Sequence, residues 1–557
     1  MKETSSTNFN YFFKIGFFLL IINLISQLGS FLLLDWDEII YAEISRQMLE
    51  RGDYFKMFIN QQAFTEKPPL YFWLMASSFK FFGINEWAAR LPSAVANLAT
   101  IYLLYRTGKL WRSKRLGLVW ALVYGFSFFP MLLNRSALID PWFNFLIATS
   151  GYSLFAYYKG FENNSPRKSW QGYLGLAAIS SGLAVLTKGW LGLVIPFFII
   201  FWILIKNKHF FKHFVNLFIT GIGALLMGGM WHIVSFFGQG LPWLKGFISF
   251  QLRLLNQVAE GHDGPFYYHW LVVVVGILPW SGYLLAGWRA PKLKARRFRQ
   301  LDDFSFFNIV WIITVLIIFS IVQTKLPHYS SSAYIPLSYF VARGVLDFLE
   351  LKNNNKLLIK IISAGAIIFL SSLPLLANYL LIDLAGVRRV IIEPATTIDK
   401  YFIIASLVVG LLAGGGLFLK DKWRFAVMNL KMLSLVVMMQ VLLAVSVPLY
   451  QQIMQTPLRT LIDRAQAINK NSEVKAKIML YKVLYFAPFF YQKAELSQVG
   501  SYKFKDDSAL LDESYHKSLL IITEEPLVEE LKQTASNLKL ISKEGLFYLF
   551  SKNMDFK

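Results

Sequence analysis

The chain has 557 residues, of which 55% are hydrophobic and only 16% charged, and its mean hydropathy is positive at +0.45. Soluble chains of this size do not sustain such values, so the sequence is that of an integral membrane protein, and the absence of cysteine excludes a disulfide framework, a thiolate metal site and a cysteine nucleophile. The 56 basic residues outnumber the 34 acidic ones to give +22, an excess that suits the cytoplasmic loops of a multispanning protein and does not call for nucleic acid as a partner.

Residues 11–34 form the first apolar run, long enough to cross a hydrocarbon core of ~30 Å. No small-residue cleavage site follows it, so it reads as a retained signal anchor. Further runs lie near 91–108, 116–133, 141–158, 173–187, 190–205, 214–237, 266–288, 305–323, 329–348, 357–382, 399–419 and 427–450, which makes thirteen predicted spans. The segment 68–83, "PPLYFWLMASSFKFFG", opens with Pro-Pro and carries Lys80, and charge asymmetry decides its status. If it lies along the interface, the basic loops at 106–115, 158–169, 206–213, 289–299, 350–356 and 420–424 all share one side, which is the cytoplasm. The other side then holds 35–90, 134–140, 188–189, 238–265, 324–328, 383–398 and the tail, with Arg388 and Arg389 as minor violations.

From about residue 451 charge rises and the long apolar runs stop. "SLLIITEEPLVEELKQ" predicts a strand running into a helix, and "LKLISKEGLFYLF" a hairpin turning near Glu544-Gly545. The expected organisation is a polytopic membrane domain over 1–450 and a small soluble α/β domain over 451–557, on the non-cytoplasmic side.

The polar residues of the outer face collect at one depth. They come from "DWDEIIYAE" and "FTEKPPL" in the first loop, "NRSALID" at 134–140, "TKGW" at 187–190, "GHDGPFYYHW" within 238–265 and "QTKLPHY" at 323–329. Each has a plain structural alternative: Asp37 and Glu38 as first-turn acids of a helix, Lys67 as an interfacial anchor, Asp140 before Pro141 as a helix cap, Lys188 and Lys325 as flanking cations. Those alternatives leave unexplained why acids and cations from separate loops meet at the same level. Moving a sugar off a lipid phosphate needs both, a carboxylate to accept the proton of the attacking group and cations to stabilise the leaving phosphate. A transporter would instead carry ionisable groups at the midplane in broken, repeated helices, and a scaffold or receptor would give these residues no joint purpose.

The segments "DEIIYAEISRQM", "EKPPLYFWL", "RLPSAVANL", "RSALIDPWFNF", "LTKGWLGLVIP" and "KLPHYSSSAYIP" follow one another in an order that resembles the bacterial aminoarabinose transferases and the dolichyl-phosphate-mannose protein mannosyltransferases, both polytopic GT-C glycosyltransferases. The similarity runs from about 35 to 340. The resemblance implies an all-α membrane GT-C fold of about 13 transmembrane helices, with interfacial helices in the first outer loop and the small C-terminal domain. It implies transfer of a hexosyl or pentosyl group, with inversion, from a polyprenyl-phosphate donor to a lipid (lipid A among them), a surface glycan or a protein hydroxyl. The expected location is the inner, or plasma, membrane, with the active site on the periplasmic side; besides donor, acceptor and membrane lipids no partner is expected, and the chain should be a monomer.

Carried over residue by residue, the resemblance makes Asp37 the leading base and Asp140 the acid that orients the acceptor or shares the proton. Lys67 resembles the lysine that engages the donor phosphate, Tyr41 matches the tyrosine of the family's "DExRY" pattern, and Lys188 and Tyr329 sit where the family lines its donor cavity; Arg135 and Lys325 are further candidate cations for substrate binding on the same face. No cofactor is required; Glu66 and His262 resemble a pair that holds a divalent ion, although two ligands alone do not demand one. Ile40 stands where the family pattern has arginine, and Phe64 where tyrosine is frequent, so the identity of the sugar does not follow.

Overall fold

The computed structural model describes residues 2–60, 62–256, 263–287, 302–350, 356–390, 397–472, 475–499, 506–511 and 517–553. It is predominantly helical: α1 (Lys2–Ile25), α2 (Asp37–Arg51), α3 (Leu70–Phe82), α4 (Glu86–Trp111), α5 (Lys114–Gly125), α6 (Phe128–Leu133), α7 (Asp140–Glu162), α8 (Arg167–Lys188) and α9 (Leu191–Lys206). There follow α10 (Phe210–Asn256), α11 (Tyr268–Gly276), α12 (Ser281–Gly287), α13 (Asp303–Ile321), α14 (Tyr334–Leu349), α15 (Lys356–Arg388), α16 (Thr397–Gly416), α17 (Arg424–Val441), α18 (Val447–Met454) and α19 (Thr456–Asn471).

Among the described residues six helices are long and apolar enough to cross a membrane, and α11 with α12, bent by 95°, forms one broken candidate more. The other predicted spans fall on α4, α5 with α6, α7, α8, α9 and α14. Of these, α5, α9 and α14 are short, at 12, 16 and 16 residues, while α4, α7 and α8 are long enough but carry buried polar residues such as Asn97, Asn144 and Ser181 where they pack inside the protein. Small residues allow the closest crossing: a Cβ at Gly287 would lie 1.7 Å from the Phe340 carbonyl and one at Gly344 1.9 Å from that of Tyr283, so α12 and α14 meet backbone to backbone.

Segment 68–83 forms α3, which packs against α2 and α4. The segment 238–265, predicted to be an outer loop, holds more structure than its sequence suggested. Helix α10 continues through it to Asn256, broken at Gly240, whose φ of 73° is left-handed, with Pro242 two residues on. A glycine tolerates that backbone and a proline has no N–H to continue the ladder, so the two together turn the chain without ending the helix. The basic segment 289–299, and most of 350–356, lie outside the described residues.

The tail forms a five-stranded sheet in the order β4-β3-β5-β7-β6, with β3 (Lys477–Tyr481), β4 (Leu496–Val499), β5 (Leu519–Glu524), β6 (Leu538–Glu544) and β7 (Phe547–Lys552); β1 (Phe58–Ile59) and β2 (Gln62–Ala63) make a separate small hairpin in the first loop. β3 pairs in parallel with β4 and β5, and β6 and β7 form the hairpin, which turns at Gly545. Helix α20 (Ala487–Tyr491) brings this sheet onto the first loop, and α21 (Val528–Thr534) follows β5. Tyr491 accepts from the Leu33 N–H (2.7 Å) and donates to Glu86, while the Phe486 N–H donates to Asp35 (2.9 Å). The tail therefore lies on the same face as α2 and α3.

Candidate active site

Two adjacent acids open α2 and take different environments. Glu38 is buried and accepts from Arg90 Nε (3.1 Å), Arg90 Nη2 (3.0 Å), the Leu34 N–H (2.8 Å) and the Ala137 N–H (2.6 Å). Arg90, fully buried in α4, spends its other hydrogens on the carbonyls of Leu28, Phe31 and Leu32. This network ties the end of α1, the start of α2, α4 and the 134–140 loop into one frame. Asp37, one residue earlier, has no such anchor and its side chain is 38% exposed. A first-turn acid is favoured by the helix dipole in either case, but only Asp37 is presented outward. The preceding Trp36 holds a left-handed φ of 77°, a conformation that costs a residue with a Cβ ~1–3 kcal/mol and that the surrounding contacts must enforce. Here those contacts are the Asp35 carboxylate, which accepts from the Trp36 N–H (2.7 Å), and the Phe486 ring 5.4 Å away. The tail thus helps fix where α2 begins.

Around Asp37 the other loops converge. Asp140 opens α7 with Pro141 behind it and is buried; its Oδ1 accepts from Lys188 Nζ at 2.6 Å. Lys188, the last residue of α8, also lies over the Tyr329 ring (4.7 Å to centroid) and the Phe143 ring (5.7 Å). Tyr329 and His328 come from the 3-10 turn Pro327–Ala333 that follows α13. His328 Nε2 sits 3.9 Å from Asp37 Oδ2 and 4.0 Å from Asp140 Oδ2, too far for direct hydrogen bonds but spanning the two carboxylates. Lys67, fixed before Pro68-Pro69, lies over the Phe250 ring of α10 at 5.3 Å.

The electrostatics bind these groups into one site. Burial lowers the Lys67 ammonium below its usual value and nearby Lys188 lowers it further, against the pull of Asp37, Glu66 and Asp140. Burial alone would raise Asp140, but Lys188, His328 and Lys67 together hold it below the usual carboxylate range. Burial pushes His328 below the usual imidazole value, with Asp140 and Asp37 opposing and Lys188 and Lys67 assisting, which leaves a neutral ring at neutral pH. Tyr41, one turn after Asp37, is raised well above its usual value by burial and by Asp37, Asp140, Tyr329 and Glu66, so its hydroxyl keeps its proton.

Asp37, Tyr41, Glu66, Lys67, Asp140, Lys188 and Tyr329 are therefore brought together. Two predicted cations are not. Arg135 is buried against the end of α1, donating to the Asn23 and Met131 carbonyls, and burial alone lowers it to about 9; its carbonyl partners make it a clamp between helices, not a phosphate contact. Lys325 donates to the carbonyls of Phe319 (3.1 Å), Ser320 (2.7 Å) and Val322, closing the C-terminal end of α13, so its hydrogens are already spent. His262, and with it the Glu66–His262 pair, lies outside the described residues. The residue that sequence reasoning left unassigned is His328: it stood in view in "KLPHY", but a single histidine beside proline carries no sign of the two acids it bridges.

A cavity of about 250 Å³ opens next to this cluster, between the first loop, the outer half of α10 and the tail, lined by Ile40, Thr65, Glu66, Phe250, Arg253 and Phe486 among others. It offers aromatic faces beside polar groups, a lining suited to a sugar ring.

Residues 9–254 match the model of the dolichyl-phosphate-mannose-protein mannosyltransferases. ArnT from Cupriavidus metallidurans bound to undecaprenyl phosphate superposes with a TM-score of 0.69 over 97% of both chains, at 17% identity. The chain has the GT-C fold. An undecaprenyl phosphate-alpha-4-amino-4-deoxy-L-arabinose arabinosyl transferase from Photorhabdus laumondii is 28% identical over 62% of this chain and 62% of its own length. One of the same description from Wigglesworthia glossinidia brevipalpis is 28% identical over 58% of this chain and 56% of its own. The chain thus spans about six-tenths of the length of these curated relatives. The resemblance to GT-C glycosyltransferases carried by the outer-face motifs is borne out, and the ArnT-like fold and apolar helices make this a multi-pass membrane protein.

Proposed function

We propose that the chain is an inverting glycosyltransferase that moves a sugar from a polyprenyl-phosphate donor to a hydroxyl acceptor. The observation that supports this best is the convergence of Asp37, Lys67, Asp140, Lys188 and His328, from separate segments, beside a sugar-sized cavity. Asp37, exposed and unanchored, takes the proton of the acceptor hydroxyl as that oxygen attacks the anomeric carbon from the face opposite the phosphate. The carbon–oxygen bond to phosphate breaks, and Lys67 and Lys188 stabilise the charge that builds on the departing polyprenyl phosphate. Asp140 holds the Lys188 ammonium in place, and the neutral His328 stands between the two carboxylates, where protonation would weaken Asp37 as a base. Tyr41 and Tyr329 wall the site, Tyr329 through its contact with Lys188.

The wider topology we infer has thirteen spans, the active site and the C-terminal domain on the non-cytoplasmic side of the inner membrane, and basic loops in the cytoplasm. The names of the relatives support transfer over lipid flipping. Ile40, where the family pattern has arginine, forms an apolar wall of the cavity, so the sugar bound here need not be aminoarabinose. Mass spectrometry of envelope lipids and proteins from cells with and without the gene tests the proposal: loss of a sugar from one envelope component supports it and identifies the acceptor, and an unchanged profile under conditions of expression opposes it.

A further inference from the structure

At the opposite end of the helices from the proposed active site, three potential ligands meet. Glu162 is the last residue of α7, His209 lies in the turn between α9 and α10, and His213 sits in the first turn of α10; one ligand atom from each falls within 4.8 Å of the others. The four-residue spacing of the histidines puts both rings on one side of the helix start, facing the end of α7. Glu162 Oε1 is 2.9 Å from His213 Nε2, and Glu162 Oε2 is 3.4 Å from His209 Nδ1.

We propose that Glu162, His209 and His213 form a binding site for a borderline divalent transition metal of the zinc class. Two further observations point to a ligand. His213 is fully buried, and its other ring nitrogen, Nδ1, lies 2.7 Å from the Tyr157 hydroxyl, which in turn accepts from Asn216 (3.0 Å). The 2.9 Å contact between His213 Nε2 and Glu162 is a hydrogen bond in the metal-free protein; when an ion takes the Nε2 lone pair, the ring proton can sit on Nδ1 and be accepted by the Tyr157 hydroxyl, the outer-shell support that metal-bound histidines use. His209 Nδ1 is buried, has no hydrogen-bond partner and faces the same carboxylate, while the rest of its ring is partly exposed. Two imidazoles and one carboxylate leave a fourth position open and favour zinc, cobalt or nickel over magnesium or calcium, which take oxygen ligands. Lys212, now 3.0 Å from Glu162 Oε1, is half-exposed on a flexible stem and can withdraw to water when the ion enters. Bound metal pins the end of α7 to the start of α10, the helix whose outer half walls the cavity.

The test uses the full-length, tag-free protein in detergent, stripped with chelator and titrated with zinc chloride. One equivalent should bind saturably and raise the unfolding temperature, and cobalt should give the visible absorption of a four-coordinate site. His209→Gln, at the partly exposed edge, and Glu162→Gln should each weaken zinc binding at least tenfold, with Lys212→Ala binding as tightly as the parent or more so. No saturable binding, or binding that neither His209→Gln nor Glu162→Gln weakens, overturns the proposal. Both single variants are read against the stability of the stripped parent, so a folding defect is visible separately from a binding one.

Discussion

Glu38→Gln separates the two acids that begin α2. In either amide orientation the new NH₂ group faces two donors, because all four partners of Glu38 are N–H groups, and the Arg90 charge loses its carboxylate while staying fully buried. Breaking a buried ion pair from one side costs ~3–5 kcal/mol. The three carbonyls that Arg90 retains place the expected loss near the lower end, about 3 kcal/mol, or roughly a hundredfold in the folded-to-unfolded ratio. Asp37→Asn, at an exposed position without anchoring bonds, should stay within about 0.5 kcal/mol of the parent. Unfolding in detergent, followed by intrinsic tryptophan fluorescence, measures both. Transfer should show the reverse order, abolished by Asp37→Asn and lost in Glu38→Gln mainly with the unfolded fraction. Equal destabilisation by the two substitutions, or a Glu38→Gln protein as stable as the parent, refutes the division of roles.

Lys67→Ala should lower kcat/KM for a purified polyprenyl-phosphate sugar by roughly 10²-fold, the scale of removing one preorganised charge-stabilising donor, with Lys67→Arg recovering only part. His328 is held below 6.5, so activity should survive to below that pH and then fall as the ring protonates between its two acids; His328→Gln should remove that step from the acid limb, and an unchanged profile would count against the bridging role. Burial raises Asp35 from 3.8 to about 6 despite its bonds from the Phe486 and Trp36 N–H groups, so the folded state binds the proton more tightly than the unfolded one and stability falls as pH rises from about 4 to about 6; Asp35→Asn should flatten that slope in unfolding curves. Arg135→Met should leave donor affinity unchanged, measured by binding of polyprenyl phosphate, because its bonds run to Asn23 of α1 and Met131 of α6 and not to the site.

The positions of the long helices and the groups of charged residues at their ends were legible because long apolar runs mark helices and the chemistry needs charged residues at their ends. The tail was readable too, since strand β5, helix α21 and the β6–β7 hairpin each carry their own local pattern. What failed to show was anything depending on pairs distant in sequence. Glu38 and Arg90 are 52 residues apart, and nothing local marks one acid of "DE" as a frame and the other as reactive. Arg135 and Lys325 carry the same charge as Lys67 and Lys188, and only the carbonyls packed around them reveal that theirs is spent on the fold. The bend at Gly240 was hidden by an amphipathic continuation that reads as loop when helices are expected to stop at the membrane face. Glu162, His209 and His213 fall in or beside basic loops predicted to be cytoplasmic, where charge asymmetry drew attention to the lysines and away from the histidines among them.

The most direct test of the central claim is transfer in reconstituted vesicles. Purified protein is supplied with a polyprenyl-phosphate sugar and an extract of envelope lipids and proteins, and release of free polyprenyl phosphate and gain of sugar mass on an acceptor are followed together. The parent should release the lipid phosphate in step with the mass gain, and Asp37→Asn, folded to the same extent, should do neither. Equal transfer by the Asp37→Asn protein, or lipid-linked sugar crossing the vesicle membrane intact with no release of polyprenyl phosphate, would contradict the assignment.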